Sequence, residues 1–261
     1  MKTVLKYHVI TKVEVAIFLL MLVVLTVQAQ EVDHAELRQL VDSPTAGLLS
    51  RWCYAMDLRV FPRGGVLAHV SIGLLSRLTA GFSYGGLNII GEGDLDWNPR
   101  VAFQAKLRIF DESYVVPAIA IGFDSQGYGT YDDGRKRYQI KSKGAYAVFS
   151  KSFWMLGPFG LHAGANYSLE DKDGDNDMSF FAGIDKELVW GFALLAEYDL
   201  ALNDDDEDGT YGTGNGYLNA GVQWTFADKL SLEFDIKNLT DNRENVPHVS
   251  REVRIIYCDH F

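Results

Sequence analysis

The sequence predicts an all-β protein, a single antiparallel transmembrane β-barrel of about twelve strands. From position 52 onward, apolar side chains take every second place in segments of about ten residues, with almost no helical periodicity. Such lengths suit a tilted strand crossing a bilayer, and an even number of strands suits a single-chain barrel. The connections also alternate between tight and long, which a soluble sandwich has no reason to do and a membrane barrel does.

The segments fall at 52–61, 65–75, 77–85, 101–109, 115–123, 144–153, 159–169, 178–187, 191–201, 216–226, 229–238 and 250–259. In the fourth, Val101, Phe103, Ala105, Leu107 and Ile109 oppose Gln104, Lys106 and Arg108. In the ninth, Phe192, Leu194, Ala196, Tyr198 and Leu200 oppose Glu197 and Asp199. In the eleventh, Leu230, Leu232, Phe234 and Ile236 oppose Ser231, Glu233, Asp235 and Lys237. The sixth is irregular: neither face is uniformly apolar, and its phase slips as at a β-bulge. Tight connections at 76–77, 111–114, 155–158, 189–190 and 227–228 contrast with long polar ones at 86–100, 124–143, 170–177, 202–215 and 239–249, the connection at 62–65 being the short exception on that side. Phe110, Trp154, Trp190 and Trp224 fall near the tight-turn ends, and Phe82, Tyr84, Tyr167 and Tyr198 toward the loop ends, as two interfacial belts require.

Ahead of the barrel, Lys2, Lys6 and Lys12 precede an apolar run over 15–27, and Ala29 offers a small residue for cleavage. At about 1.5 Å per residue that run falls short of a ~30 Å hydrocarbon core, so residues 1–29 read as a secretory signal rather than an anchor. Residues 30–51 read as a periplasmic lead-in with a short helix over 35–41, and 52–261 as an outer-membrane barrel. Removing three lysines and one glutamate with the signal takes the formal net charge from −11 to −13, which excludes nucleic acid as a partner. The expected surroundings are outer-membrane lipid and lipopolysaccharide, with the outer loops condensing divalent cations loosely.

By phase, the charged residues Asp57, Arg59, His69, Lys106, Arg108, His162, Asp185, Glu197, Asp199, Glu233, Asp235, Lys237 and Arg254 point into the lumen. They would line a polar channel, or else fill the barrel with ion pairs; twelve strands leave more room than eight, where side chains suffice to fill it. Two acidic stretches, 170–177 and 203–209, raise the question of calcium. Asp204, Asp206 and Asp208 precede Gly209 as in an EF-hand loop, but position 12 is Asn215 rather than a glutamate. The first stretch has Asn176 where glycine is required, so both read as solvated loops with at most a weak metal site. Cys53 and Cys258, on the first and last strands, both turn inward at the end where those strands meet, and are candidates for a disulfide.

No GxSxG, P-loop, HExxH or dinucleotide fingerprint is present. His69 and Ser71 share a strand face, but it is the luminal one, and no third orienting residue can be assigned. No enzyme activity and no cofactor are expected. The expected function is a passive channel or export accessory for a polar solute. The alternatives are a lipid-modifying barrel enzyme and a non-transporting structural or adhesive barrel.

Two resemblances add to this. The ending 253–261, with Val253, Ile255, Tyr257 and a terminal Phe261 in phase, resembles the signature strand that the barrel-assembly machinery reads, although Asp259 stands where an aromatic is usual. The stretches VDSPTAG (41–47), KGAYAVFSK (143–151) and GYLNAGVQW (216–224) resemble the YjbH-like outer-membrane barrels. That resemblance implies a role in exopolysaccharide production and maps no catalytic residue.

Overall fold

The computed structural model describes residues 36–205, 211–226, 229–242 and 249–261. The signal expected over 1–29 therefore lies outside the described residues. Strands β1 (Cys53–Phe61), β2 (Gly65–Leu75), β3 (Leu78–Leu87), β5 (Ala102–Phe110), β6 (Ala118–Asp124), β9 (Gly144–Trp154), β10 (Pro158–Tyr167), β11 (Ser179–Glu187), β12 (Phe192–Asp199), β13 (Tyr217–Phe226), β14 (Leu230–Lys237) and β15 (Ser250–His260) form the wall. Each pairs antiparallel with its neighbours, and β1 closes the ring by pairing with both β2 and β15. The fold is a closed twelve-stranded antiparallel barrel. Three short strands decorate the long connections: β4 (Asp96–Trp97) adds to β3, and β7 (Tyr128–Asp132) with β8 (Arg137–Ile140) makes a separate hairpin.

The outer face carries exposed Phe82, Phe103, Ile121, Phe149, Phe180, Leu194, Trp224, Phe234 and Ile255. A solvated sheet would not present so continuous an apolar band, whereas lipid would favour it. Phe192 and Trp224 stack at 5.7 Å between centroids near the tight-turn end, and Tyr84 stacks on Trp97 at 5.6 Å near the other.

The sixth barrel strand, β9, keeps one phase along its length. Tyr146, Val148 and Ser150 point inward, and Ala145 and Phe149 outward. The irregularity sits at its start, where Tyr167 faces both Gly144 and Ala145 and Gly144 has φ +60°. Its inner face looked wrong for a polar lumen because it packs on something apolar. Tyr146 and Val148 cluster with Ala118, Ala120, Phe181 and Ala46, the last from ahead of the barrel. The fifth strand starts at Ala118, after Val115, Val116 and Pro117, so its connection is longer than expected.

The lead-in segment departs most from expectation. Described from residue 36 onward, it is neither helical nor outside: it is a hairpin inserted into the lumen from the tight-turn end. The Thr45 amide donates to the Arg38 carbonyl at 3.2 Å, Gln39 bridges Pro44, and the Leu40 amide donates to the Ser43 carbonyl at 2.9 Å across the tip. Leu40, Val41, Ala46, Leu48 and Leu49 are all buried. The helical spacing of Leu37, Leu40 and Val41 would have left an apolar stripe in water; inside the barrel these side chains pack on Leu195 instead. Gly183 makes room, since a Cβ there would lie 2.3 Å from a Leu40 methyl group.

Candidate functional site

The described lumen is a charged socket built around this hairpin. At its tip, Asp42 Oδ1 lies 2.6 Å from Arg59 on β1, and Asp42 Oδ2 lies 2.7 Å from Lys237 on β14. Both cations also face Glu252 on β15, at 3.2 and 3.3 Å. The amides of Asp42 and Ser43 donate to the Glu197 carboxylate at 2.8 to 3.1 Å, and Asn219 donates to it from the other side at 2.8 Å. Burial pushes Asp42 toward the neutral acid, but Lys237 and Arg59 outweigh it and hold the carboxyl well below its ordinary range.

Hydrogen bonds from the wall to the hairpin backbone continue toward the tight-turn end. Lys106 donates to the carbonyls of Arg38, Thr45 and Gly47 at 2.7 to 3.0 Å. Arg108 donates to the Ala46 carbonyl at 2.8 Å and pairs with Glu36. Arg254 reaches the Leu40 carbonyl at 3.2 Å and Glu233 at 2.7 Å. Arg38 returns from the hairpin to Ser71 at 2.9 Å and Asp57 at 3.5 Å, and Asp57 holds His69 Nδ1 at 3.0 Å. These contacts satisfy a backbone that has no sheet of its own.

Every luminal charge assigned from phase is thus placed on the inner face, most of them touching the hairpin. Asp199 pairs instead with Lys143, just ahead of β9, near the long-loop end. His162 sits in a chain of its own: Ser150 Oγ meets Nδ1 at 2.8 Å, and Nε2 meets Asp185 at 2.7 Å. That chain has the order of a nucleophile, base and carboxylate, but the Ala46 amide already donates to Ser150 Oγ at 2.8 Å. In this arrangement the chain holds the hairpin. His69 and Ser71 lie in the lumen, with Ser71 taken by Arg38.

Asp235 stands apart. It is 2 % exposed, and among the described residues neither carboxylate oxygen has a hydrogen-bond partner. A Cβ on Gly221 would lie 2.4 Å from Asp235 Oδ1 and 3.4 Å from a methyl group of Val41, so the glycine leaves room for both side chains.

From the long-loop end, Tyr128 on β7 lies over both tip cations, 4.7 Å from the Arg59 guanidinium carbon and 4.4 Å from Lys237 Nζ. Its hydroxyl accepts from Gln39 at 3.0 Å. A cavity of about 40 Å³, lined by residues including His69, Gln104, Asp124 and Tyr128, remains beside it. That is room for a water or two. The described lumen is therefore filled from one end by the hairpin and covered at the other by a folded loop, where the strand number suggested more open space.

The acidic loops are also explained by partners. Arg137 on β8 is buried between Asp173 at 2.5 Å and Asp204 at 2.6 Å, and Lys141 pairs with Asp173 at 2.7 Å. Tyr217 donates to Asp204 at 2.5 Å. Burial raises Asp204 to about 6, with Arg137 and Tyr217 acting against it. Asp204 is therefore a buried tether rather than part of a solvated rim. Asp206 and Asp208 lie outside the described residues, and no group of three metal-ligating side chains occurs among the described ones.

Cys53 and Cys258 face inward together, packed with Leu49 and Ala55, but as free thiols. The strand register explains why they are not bonded: Cys53 lies opposite His260, and Cys258 opposite Ala55. Such diagonal neighbours stand about 7–8 Å apart, beyond the reach of an unstrained disulfide. Non-reducing mass spectrometry should find no peptide linking them, and both thiols should label once the barrel is unfolded; a linked peptide would show that the register shifts.

Sequence reading missed Asp42, Arg38, Ser150 and Tyr128. A signal was available: a lumen with this many charges, and a strand whose inner face is apolar, both require an internal partner.

No family model matches the chain, and no curated protein matches it. The likeness to YjbH-like barrels therefore stands on its three short stretches alone. Among solved structures, the chain is similar to the KdgM porin at a TM-score of 0.49 and 8 % identity, covering 80 % of this chain and 99 % of that one. It is similar to the NanC porin at 0.45 and 10 %, covering 80 % and 99 %. A third is an outer membrane channel from Pseudomonas putida F1, at 0.43 and 11 %, covering 89 % and 100 %.

Proposed function

We propose that the chain is a bacterial outer-membrane barrel acting as a gated passive channel for a polar solute, closed in this structure by its own hairpin. The observation that carries this reading is where the wall cations aim. Lys106 directs all its hydrogen bonds at the hairpin, and Arg59 and Lys237 bind its Asp42. A barrel merely filled by its own side chains would pair wall with wall; this wall does so at Glu233 and Glu252 but takes the remaining partners of Arg59, Lys106 and Lys237 from the hairpin. Withdrawal of the hairpin would leave a hydrated, charged passage.

In this reading residues 1–29 direct export and the tight turns face the periplasm. The outer face meets lipid and lipopolysaccharide, the barrel-assembly machinery reads 253–261, and the outer loops attract divalent cations loosely. A role in exopolysaccharide passage rests on the YjbH-like stretches. The second reading, a barrel that transports nothing, draws on the same filled lumen. The lipid-enzyme reading gains no support, because His69, Ser71 and the Ser150–His162–Asp185 chain all face inward.

Two measurements test the proposal. The mature protein should require detergent for extraction and migrate faster on unheated gels; a soluble periplasmic monomer would refute the membrane reading. In planar bilayers the native chain should conduct only in rare openings, and Arg59→Gln with Lys237→Met should raise the open fraction. A barrel that stays silent in both forms would favour the non-transporting reading.

The depressed Asp42 adds a pH dependence. A carboxyl whose folded pKa lies below its unfolded value contributes stability that is present above the unfolded value and lost as pH falls through the folded one. Pepsin at pH ~4.5 should thus spare residues 36–49, cutting there only in acid stronger than the ordinary carboxylate range. Cleavage of the segment at pH ~4.5 would show that Asp42 is not held as an ion.

A further inference from the structure

We infer that three of the tight turns form an interfacial anchor, sunk into the phospholipid of the periplasmic leaflet rather than standing in water. This rests on the membrane reading and goes beyond it, since a barrel can span a bilayer with wholly solvated turns. The turns join β5 to β6, β9 to β10 and β11 to β12. Because β6 pairs with β9, and β10 with β11, they follow one another along one arc of the rim. Their tips are apolar and open: Val115 is 80 % exposed, Leu156 98 % and Trp190 87 %, with Tyr114, Met155 and Val189 exposed beside them.

The backbone holds two of these side chains against their own preference. Leu156 and Trp190 have φ of +53° and +61°, each followed by a glycine of positive φ, Gly157 at +106° and Gly191 at +77°. Turns of this hand favour asparagine or aspartate before the glycine, and a bulky residue in that conformation is strained. Strain of this kind persists where the residue serves a function. The polar groups of the turns are also withdrawn from water. Lys186, on the outer face of β11, reaches the carbonyls of Met155, Leu156, Gly157 and Pro158 at 2.8 to 3.2 Å. Lys151, on the outer face of β9, donates to the Ser113 carbonyl at 2.7 Å and pairs with Glu112 at 2.8 Å. Glu112 in turn accepts from the Ser152 amide and hydroxyl. A turn in water needs no such caps, whereas a turn that enters lipid must bring its own donors. Both ammonium groups are engaged within the rim, so the attraction is apolar rather than electrostatic. Lipid is the occupant because the tips continue the lipid-facing wall: exposed Trp154 lies just ahead of Leu156, and Phe192, stacked on Trp224, just after Trp190.

The test uses the full mature chain, with Cys53→Ser and Cys258→Ser, in phosphatidylcholine vesicles. A nitroxide is attached at Leu156→Cys or Val189→Cys, with Phe149→Cys marking the lipid wall and Lys136→Cys the solvated loop end. Both turn labels should lose accessibility to a water-soluble nickel chelate, collide with oxygen as at Phe149→Cys, and lie about 5–10 Å below the headgroups. Adding anionic phospholipid should leave this unchanged. Leu156→Asn with Trp190→Asn suits the turn backbone better, and should return the Val189→Cys label to the chelate while the unheated barrel still migrates fast. Turn labels as open to the chelate as Lys136→Cys would overturn the anchor. Labels shielded from chelate and oxygen alike would overturn it in favour of a protein partner or a second copy. A Val189→Cys label that stays in lipid in the asparagine variant would show that the tips do not carry the insertion. A label at Phe149→Cys found in water would instead refute the membrane reading.

Discussion

Replacing Asp42 by alanine is expected to unseat the hairpin. The substitution removes one of the two carboxylates facing Arg59 and Lys237, all of them nearly inaccessible to water. Breaking a buried ion pair by removing one partner typically costs about 3–5 kcal/mol, because the charge left behind has lost both water and counter-ion. The barrel ladders do not depend on Asp42, so the loss should fall on the docking of residues 36–49, read as faster amide exchange there with strand amides unchanged. A second substitution separates charge from contact. Lys237→Met on the Asp42→Ala background removes the orphaned cation and should restore part of the protection. If the single variant docks as well as the native chain, the ion pairs are not what holds the tip.

Arg137→Ala should have the second-largest effect, confined to the long-loop end. Its guanidinium, 2 % exposed, is shared by Asp173 and Asp204 and donates to the carbonyls of Tyr138 and Gln139. Tyr211 lies over it at 4.1 Å. Removing it leaves Asp204 buried against Tyr217 and the more distant Lys141, and Asp173 with Lys141. A local loss of about 3–5 kcal/mol follows, seen as proteolytic cutting within 170–177 and 202–205 while the barrel itself resists. Changing Asp204, Asp206 and Asp208 together to asparagine should loosen the same loops, and Asp204→Asn alone should reproduce most of that loosening. Stoichiometric calcium binding lost in the triple variant would contradict the tether.

The wall was legible in the sequence because a strand between lipid and a polar interior must alternate, and a one-residue slip would invert it. The eleventh segment, with Glu233, Asp235 and Lys237 opposing Leu232, Phe234 and Ile236, leaves no second solution. The hairpin was not legible for the opposite reason. Its Leu37, Leu40 and Val41 fit a helical stripe, and its true partners lie far away in sequence, Arg254 at 214 residues from Leu40, where no local pattern points. The sixth segment carried a trace of it, an inner face with Tyr146 and Val148 that packs on Ala46 of the hairpin together with Ala118, Ala120 and Phe181 of the wall. Tyr128 was hidden in the same way: a polar loop of the length of 124–143 gives no sign that it folds inward.

The hairpin precedes β1 in the chain yet lies inside a ring that closes only when β15, the last strand, meets β1. Closure of that seam joins residues about two hundred positions apart and is the step with the highest loop-closure cost. Before it, the inner faces of a growing open sheet would bring Arg59, Lys106, Arg108, Lys237 and Arg254 toward the hydrocarbon. The segment just ahead of β1 is the one that carries counter-charge and backbone acceptors for them. The chain can therefore wrap its wall around a core it already holds, which would make the hairpin a former for barrel closure.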